Sequence, residues 1–169
     1  MGTVAAYRRD ALGLHHYLKG ADRFFETTEG NVPVLASTTL IVRMYVCWAL
    51  IELEPQSRRA YLKQIEEDAL LLGQSTAPCQ APASLLWLAG CALEQGRRSA
   101  AVTYLEAAQE QAGPEANGIL MDVARYWLAR TRGAPGDEAM ARNAWKKIAD
   151  QGVVNVERWM CTMGPGRMG

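Results

Sequence analysis

Two adjacent histidines, His15 and His16, and four cysteines, Cys47, Cys79, Cys91 and Cys161, are the side chains best suited to chemistry in this chain. A cysteine nucleophile needs an imidazole beside it, and a zinc site needs His and Cys at short spacing. Neither pattern is present, because no C-x-x-C occurs and the histidines lie far from every cysteine. Scattered cysteines fit buried thiols in a reducing compartment, so no metal and no cofactor is expected. For the histidine pair the expectation is one partly packed and one solvent-facing ring. Glu66, Glu67 and Asp68 have the density of acid/base machinery, but nothing adjacent would shift their pKa values. They are read as a solvated helix face.

The phosphate-binding pattern G-x-x-x-x-G-K-[ST] is missing and no G-x-G-x-x-G follows a strand; G-x-S-x-G and H-E-x-x-H are missing too. Gly164-Pro165-Gly166 has no helix and no lysine after it, so it cannot cradle a phosphate. No residue is assigned a catalytic role, and the chain is read as a non-enzyme. Three arginine doublets remain, Arg8-Arg9, Arg58-Arg59 and Arg97-Arg98, each near a helix start or turn. They are read as solvated capping groups, the alternative being contacts to an acidic peptide. Lys plus Arg number 18 and Asp plus Glu also 18, so no global field draws nucleic acid or anionic lipid.

The elements that must position these groups are helical. The organising stretch is Ala83 to Ala112, two amphipathic helices broken at Gln95-Gly96-Arg97. Leu85, Leu86, Leu88, Ala89, Ala92 and Leu93 recur at helical steps in the first helix, and Ala101, Leu105 and Ala108 in the second. Before it, Thr3 to Lys19 forms a helix ended by Gly20, with a short continuation carrying Phe24 and Phe25 inward. Val34 to Ile51 approaches a membrane span in length. Arg43 near its centre would cost about 2.5–3.5 kcal/mol in a bilayer, so a buried core helix is the expectation and no membrane partner. Gln56 to Leu72 follows, packed through Tyr61, Leu62, Ile65, Ala69 and Leu72. Gly73 to Pro82 is a linker of small, polar and proline residues. Later, Asn117 to Arg130 presents Leu120, Val123, Ala124, Trp127 and Leu128. Glu138 to Asp150 packs through Ala141, Trp145 and Ile148, and a last short helix runs over 154–163.

The Ala83–Ala112 stretch resembles a tetratricopeptide repeat, a helix–turn–helix unit of roughly 34 residues. With Gly96 as the inter-helix glycine, Leu85, Leu88 and Ala89 match the first-helix positions. Ala101, Leu105 and Ala108 match the second helix and Pro114 the closing proline. Ala92 departs from the pattern, where the family has a large residue; Leu93 or Trp87 would fill that space. Leu120, Val123, Ala124 and Trp127 match a second, irregular unit. A further resemblance lies at the end of the chain. Asn155, Glu157, Arg158, Pro165 and Gly166 are similar to the N-P-E-R-M-x-x-M-L-A-P-G ending of large bacterial signalling proteins, in which a kinase or ATPase module precedes a tetratricopeptide-like tail. Val156, Trp159, Thr162, Met163 and Gly164 depart from it.

These resemblances imply an all-α fold of stacked antiparallel helix pairs, a superhelical α-solenoid in one domain over 1–169. Its parts are an N-terminal helix (1–29), helix pairs at 33–73, 83–112 and 116–151, and the terminal helix. The function implied is a cytoplasmic, non-catalytic scaffold or regulatory tail offering a groove to a protein or peptide, a kinase or ATPase module among the candidates. Family positions place Met121 and Arg125 in that groove. The alternative is a small-molecule-sensing or dimerising helical domain, with Trp48, Trp87 and Trp127 lining its pocket. Neither reading fixes the partner or the oligomeric state.

Overall fold

A cluster of alanines and leucines spaced for helix, punctuated by Gly and Pro, leaves little room for strand. The computed structural model describes residues 10–27, 33–113 and 118–156. Among them are seven α-helices and no strand: α1 (Ala11–Thr27), α2 (Pro33–Leu53), α3 (Arg58–Gly73), α4 (Gln80–Glu94), α5 (Arg98–Ala112), α6 (Gly118–Arg132) and α7 (Asp137–Asp150). A 3-10 turn, Pro55–Ser57, leads into α3. The chain divides into two compact units, Met1–Ser75 and Thr76–Gly169, and the division falls in the Gly73–Pro82 stretch. Within that stretch only 74–79 lie outside a helix, because α4 already begins at Gln80 and carries Pro82 in its first turn, where its missing N–H costs nothing.

In the first unit, α1 packs on α2 and α2 on α3. Pro33 stands at the start of α2, where a fixed φ is compatible with helix, and Pro55 follows its end. The pairs Glu54–Tyr61 and Arg43–Asp68 open symmetrically about the Pro55–Ser57 turn, so α2 and α3 run antiparallel. Leu14 of α1 closes over Val46 and Leu50 of α2. Contrary to expectation, α1 does not end at Gly20 but continues to Thr27. The continuation carries Ala21 into the core and places Asp22 and Phe25 on Arg43. These contacts outweigh the roughly 1 kcal/mol that a mid-helix glycine costs. A Cβ at Gly20 would meet nothing within 4 Å. Gly20→Ala is therefore expected to stabilise the protein by about 0.5–1 kcal/mol, measured as an upward shift of the urea midpoint.

In the second unit the helices pack in chain order, α4 on α5, α5 on α6 and α6 on α7, and α4 also touches α6. The break at Gly96 is a Schellman end. Arg97 N–H donates to Ala92 O at 2.8 Å and Gly96 N–H to Leu93 O at 3.0 Å, with Gly96 at φ +73°. That left-handed residue turns the chain back, and α5 lays Ala101, Leu105, Ala108 and Ala112 along one buried stripe. Leu105, Ala108 and Ala112 share a core with Leu86, Ala89, Leu120, Val123, Ala124 and Trp127. Ala92 is fully buried and Trp87, five residues before it, is buried too, while Leu93 is half-buried. The α6–α7 loop is tight, 133–136, because Gly133 and Gly136 both take positive φ and Asp137 accepts a hydrogen bond from Ala134 N–H at 2.7 Å.

One packing expectation fails in α7. Ala141 and Ile148 are buried, but Trp145 is 40% exposed and Ala144 takes its place in the core. The stripe steps 141, 144, 148, three residues then four, and 145 falls off its edge. Of the terminal helix expected over 154–163 only 154–156 lie among the described residues; 154 and 155 are not helical, and Val156 is buried in the second unit's core. Arg8, Arg9, Cys161, Pro165 and Gly166 lie outside the described residues.

Candidate functional site

In the second unit α6 exposes little. Its buried residues run through Leu120, Asp122, Val123, Ala124 and 126–129, so Met121 and Arg125 are among the few side chains on it that reach solvent. They lie one helical turn apart, on the face that also carries Asp122. The Asp122 side chain is only 7% exposed and Arg125 is 32% exposed. Arg125 Nη1 stands 3.5 Å from Asp122 Oδ1, and Lys147 Nζ of α7 stands 4.0 Å from the same oxygen. One enclosed carboxylate thus faces two cations from two helices, leaving an excess positive charge at the surface. A guanidinium has five N–H donors in a planar fork, and the contact to Asp122 uses the Nη1 end. Met121 packs partly against the core beside it. The arrangement sets a partly exposed guanidinium and a partly exposed thioether side by side on one helix face.

Known protein families offer no match to this chain, and comparison with curated protein sequences and with solved structures gives none either.

The first unit holds the strongest electrostatics. Arg43 and Asp68 are both buried, with Asp68 wholly so. Arg43 Nε donates to Asp68 Oδ2 at 2.7 Å, and its Nη2 to Oδ1 of the same carboxylate. Gln64 Nε2 donates to Oδ1 at 3.0 Å, while Arg43 Nη1 reaches Asp22 Oδ1 at 3.2 Å. The guanidinium carbon sits 4.7 Å from the Phe25 ring centroid. Burial raises the Asp68 carboxyl above its usual value, with Arg43 opposing the rise. Burial alone would lower Arg43, but the hydrogen bond and charge of Asp68, with Asp22 behind, carry it above its usual value. The acidic run is thus not a wholly solvated face: Asp68 is perturbed first by its burial, and its partner is an arginine from 25 residues earlier in the chain. The signal was legible, since Asp68 lies three residues after Ile65 and four before Leu72, both fully buried.

The remaining candidates lie in both units. His15 is half-buried and His16 exposed, as the residue types imply. Acidic company does reach His15, from 39 residues away: its Nε2 lies 2.7 Å from Glu54 Oε1. Cys47 and Cys91 are buried and Cys79 exposed, all as free thiols. Burial, with the Asp68 charge, pushes the Cys47 thiol up to about 12, so it holds no thiolate at neutral pH. Arg98 is spent on structure, donating to the terminal carbonyls of α6, Thr131 O at 2.7 Å and Arg132 O at 3.0 Å. Trp87 and Trp127 are buried in the second unit, and Trp48 is half-buried in the first.

Glu54 sets a pH dependence. Tyr61 Oη donates to Glu54 Oε2 at 2.5 Å, and this bond, followed by that of His15, holds the carboxyl below its usual range. A depressed folded-state pKa gives stability that is present above the unfolded carboxylate value, about pH 4.3, and lost as pH falls through the folded value. Tyr61→Phe is expected to move the Glu54 titration upward toward the ordinary value. Carboxyl carbon shifts followed by NMR between pH 2 and pH 6 would check it, and an unmoved titration would remove the phenol from the account.

Proposed function

We propose that this protein is a non-catalytic scaffold that presents the Met121–Arg125 face of α6 to a segment of a partner protein. The observation that carries the reading is the pairing of a partly exposed arginine, steadied by an enclosed aspartate, with a neighbouring methionine on a helix that is mostly buried. A steadied guanidinium loses less freedom on binding than a loose one, and a partner carboxylate would find Lys147 beside it. Within the second unit, α4 with α5 and α6 with α7 are read as two tetratricopeptide-like units of an α-solenoid. The chain-order packing of these helices, with first helix touching first helix, supports that reading. A kinase or ATPase module is the partner class that the likeness of the C-terminal residues suggests.

The protein is read as cytoplasmic. Residues Leu35–Leu53 are long and apolar enough to cross a membrane, with mean hydropathy 1.4. The mid-helix Arg43, enclosed with Asp68, supports a core helix instead. The experiment that tests the scaffold places a photoactivatable cross-linking residue at position 121 and, separately, at the exposed position 142. Cross-links to one partner from 121 and not from 142 are the expected result. Equal labelling from both, or labelling from 142 alone, would move the surface elsewhere.

A further inference from the structure

We infer that one flank of α7 is a contact for a second copy of this chain, the two α7 helices lying antiparallel about a twofold axis. Glu138, Arg142, Trp145 and Ala149 recur at steps of four, three and four, so they form one seam along the helix. The seam lies about a quarter turn from the buried stripe of Ala141, Ala144 and Ile148. Glu138, Arg142 and Trp145 are exposed and Ala149 is half-buried. Among the described residues Trp145 is the one aromatic side chain so exposed; the other large apolar groups left in water are aliphatic.

The occupant follows from the symmetry of the seam. Its spacing reads the same in both directions about the level of Asn143 and Ala144. An antiparallel copy centred there sets every seam residue opposite another, Arg142 against Trp145 and Glu138 against Ala149. Each pairing then occurs twice, as a contact between identical surfaces requires. Tryptophan is the strongest aromatic partner for a guanidinium, and Glu138 Oε1 steadies Arg142 Nη1 at 3.2 Å in the same helix. Ala149 is small enough to leave room for the Glu138 stem.

Other centres do worse. Centred on Arg142, the pair sets that arginine against itself; centred on Ala144, it sets Arg142 against Lys146. Arginine and tryptophan are also the residue types enriched where protein surfaces meet. A single helix pair is a small contact, so the association is weak and reversible. Lys147 stands on the opposite side of the buried stripe, toward Asp122. This contact and the Met121–Arg125 face therefore use different flanks, and either reading can fail alone. A cross-link from position 142 to another copy of the chain belongs to this contact.

Sedimentation equilibrium of the full chain up to about 1 mM, the weak limit of specific association, tests the pairing. A concentration-dependent dimer is expected, weakened at least about thirtyfold by Trp145→Ala. Leu12→Ala, which trims a more exposed apolar side chain in the first unit, should leave it unchanged. Disulfide trapping tests the register. Chains carrying Glu138→Cys and Ala149→Cys, each with Cys79→Ser and Cys161→Ser, should cross-link when mixed and not when kept apart. Identical positions then stand about 16 Å apart along the axis, beyond the reach of a disulfide. A monomer at every concentration would overturn the proposal, as would a dimer that Trp145→Ala leaves intact. Trapping that proceeds equally well for each variant alone would overturn it too.

Discussion

Asp68→Ala is expected to cost about 3–5 kcal/mol of stability, the penalty for leaving a buried cation without its partner. Arg43 cannot swing to water cheaply. Its guanidinium is enclosed over Phe25, and Asp22 offers it only one contact, at 3.2 Å, from an exposed carboxylate. Gln64 would lose its acceptor as well. Urea unfolding followed by circular dichroism reads the loss directly, and a midpoint within experimental error of the unaltered protein would mean that Arg43 finds solvent. The companion variant separates need from net gain. Replacing both partners together, Arg43→Met with Asp68→Leu, is expected to be nearly neutral or stabilising. The upward pull of burial on Asp68 points the same way, since desolvation there outweighs the help from Arg43, while on Arg43 the attraction of Asp68 prevails. The pair then specifies how α2 and α3 meet rather than supplying their stability. An arginine and an aspartate that must face each other restrict the register in which the two helices can pair.

Leu105→Ala is the second large effect, at about 2–5 kcal/mol. Leu105 is fully buried on α5 and is flanked along its stripe by Ala101 and Ala108, residues too small to relax into the space it would leave. Its core neighbours Leu86, Ala89, Val123 and Trp127 come from α4 and α6, so the loss falls where three helices share one core. The stripe's alanines carry the opposite sensitivity. A larger side chain at Ala101 would push α5 away from its neighbours, costing about 1–3 kcal/mol. Thermal unfolding of both variants checks the pair. A Leu105→Ala loss under about 1 kcal/mol would mean that the core collapses around the gap.

The stripes were legible because burial imposes a period on apolar residues. Ala101, Leu105 and Ala108 are all buried where the spacing put them, and Gly96 ends α4 where a left-handed residue was needed. What periodicity cannot convey is partnership across the chain. Nothing within α1 announces that His15 will meet Glu54, and nothing near Asp68 announces Arg43; both pairs form only once helices fold back. The arginine itself was the clue, since a cation amid an apolar helix requires an acid somewhere, and Asp68 shares the phase of Ile65 and Leu72. Gly20 misled for a different reason. A lone glycine signals a helix end only when its φ turns positive, and here tertiary contacts of Asp22 and Phe25 keep the helix going. Trp145 misled because aromatic size was read as burial, while the phase of Ala141, Ala144 and Ile148 excludes it. Met121 and Arg125 were placed by likeness to a repeat family, and both stand partly exposed on one face of α6. Asp122, which steadies Arg125, was not anticipated, because an acid next to an apolar stripe reads as solvated until the packing of α7 brings Lys147 to it.

The scaffold reading is tested most directly by capturing partners from cells of the source with the unaltered chain and the Arg125→Ala chain as parallel baits. Both are first shown to be equally helical and equally stable. The account predicts a partner retained by the first and bound about tenfold more weakly by the second, the loss typical of an interface arginine anchor. A partner held equally by both baits would contradict the placement of the binding face on α6.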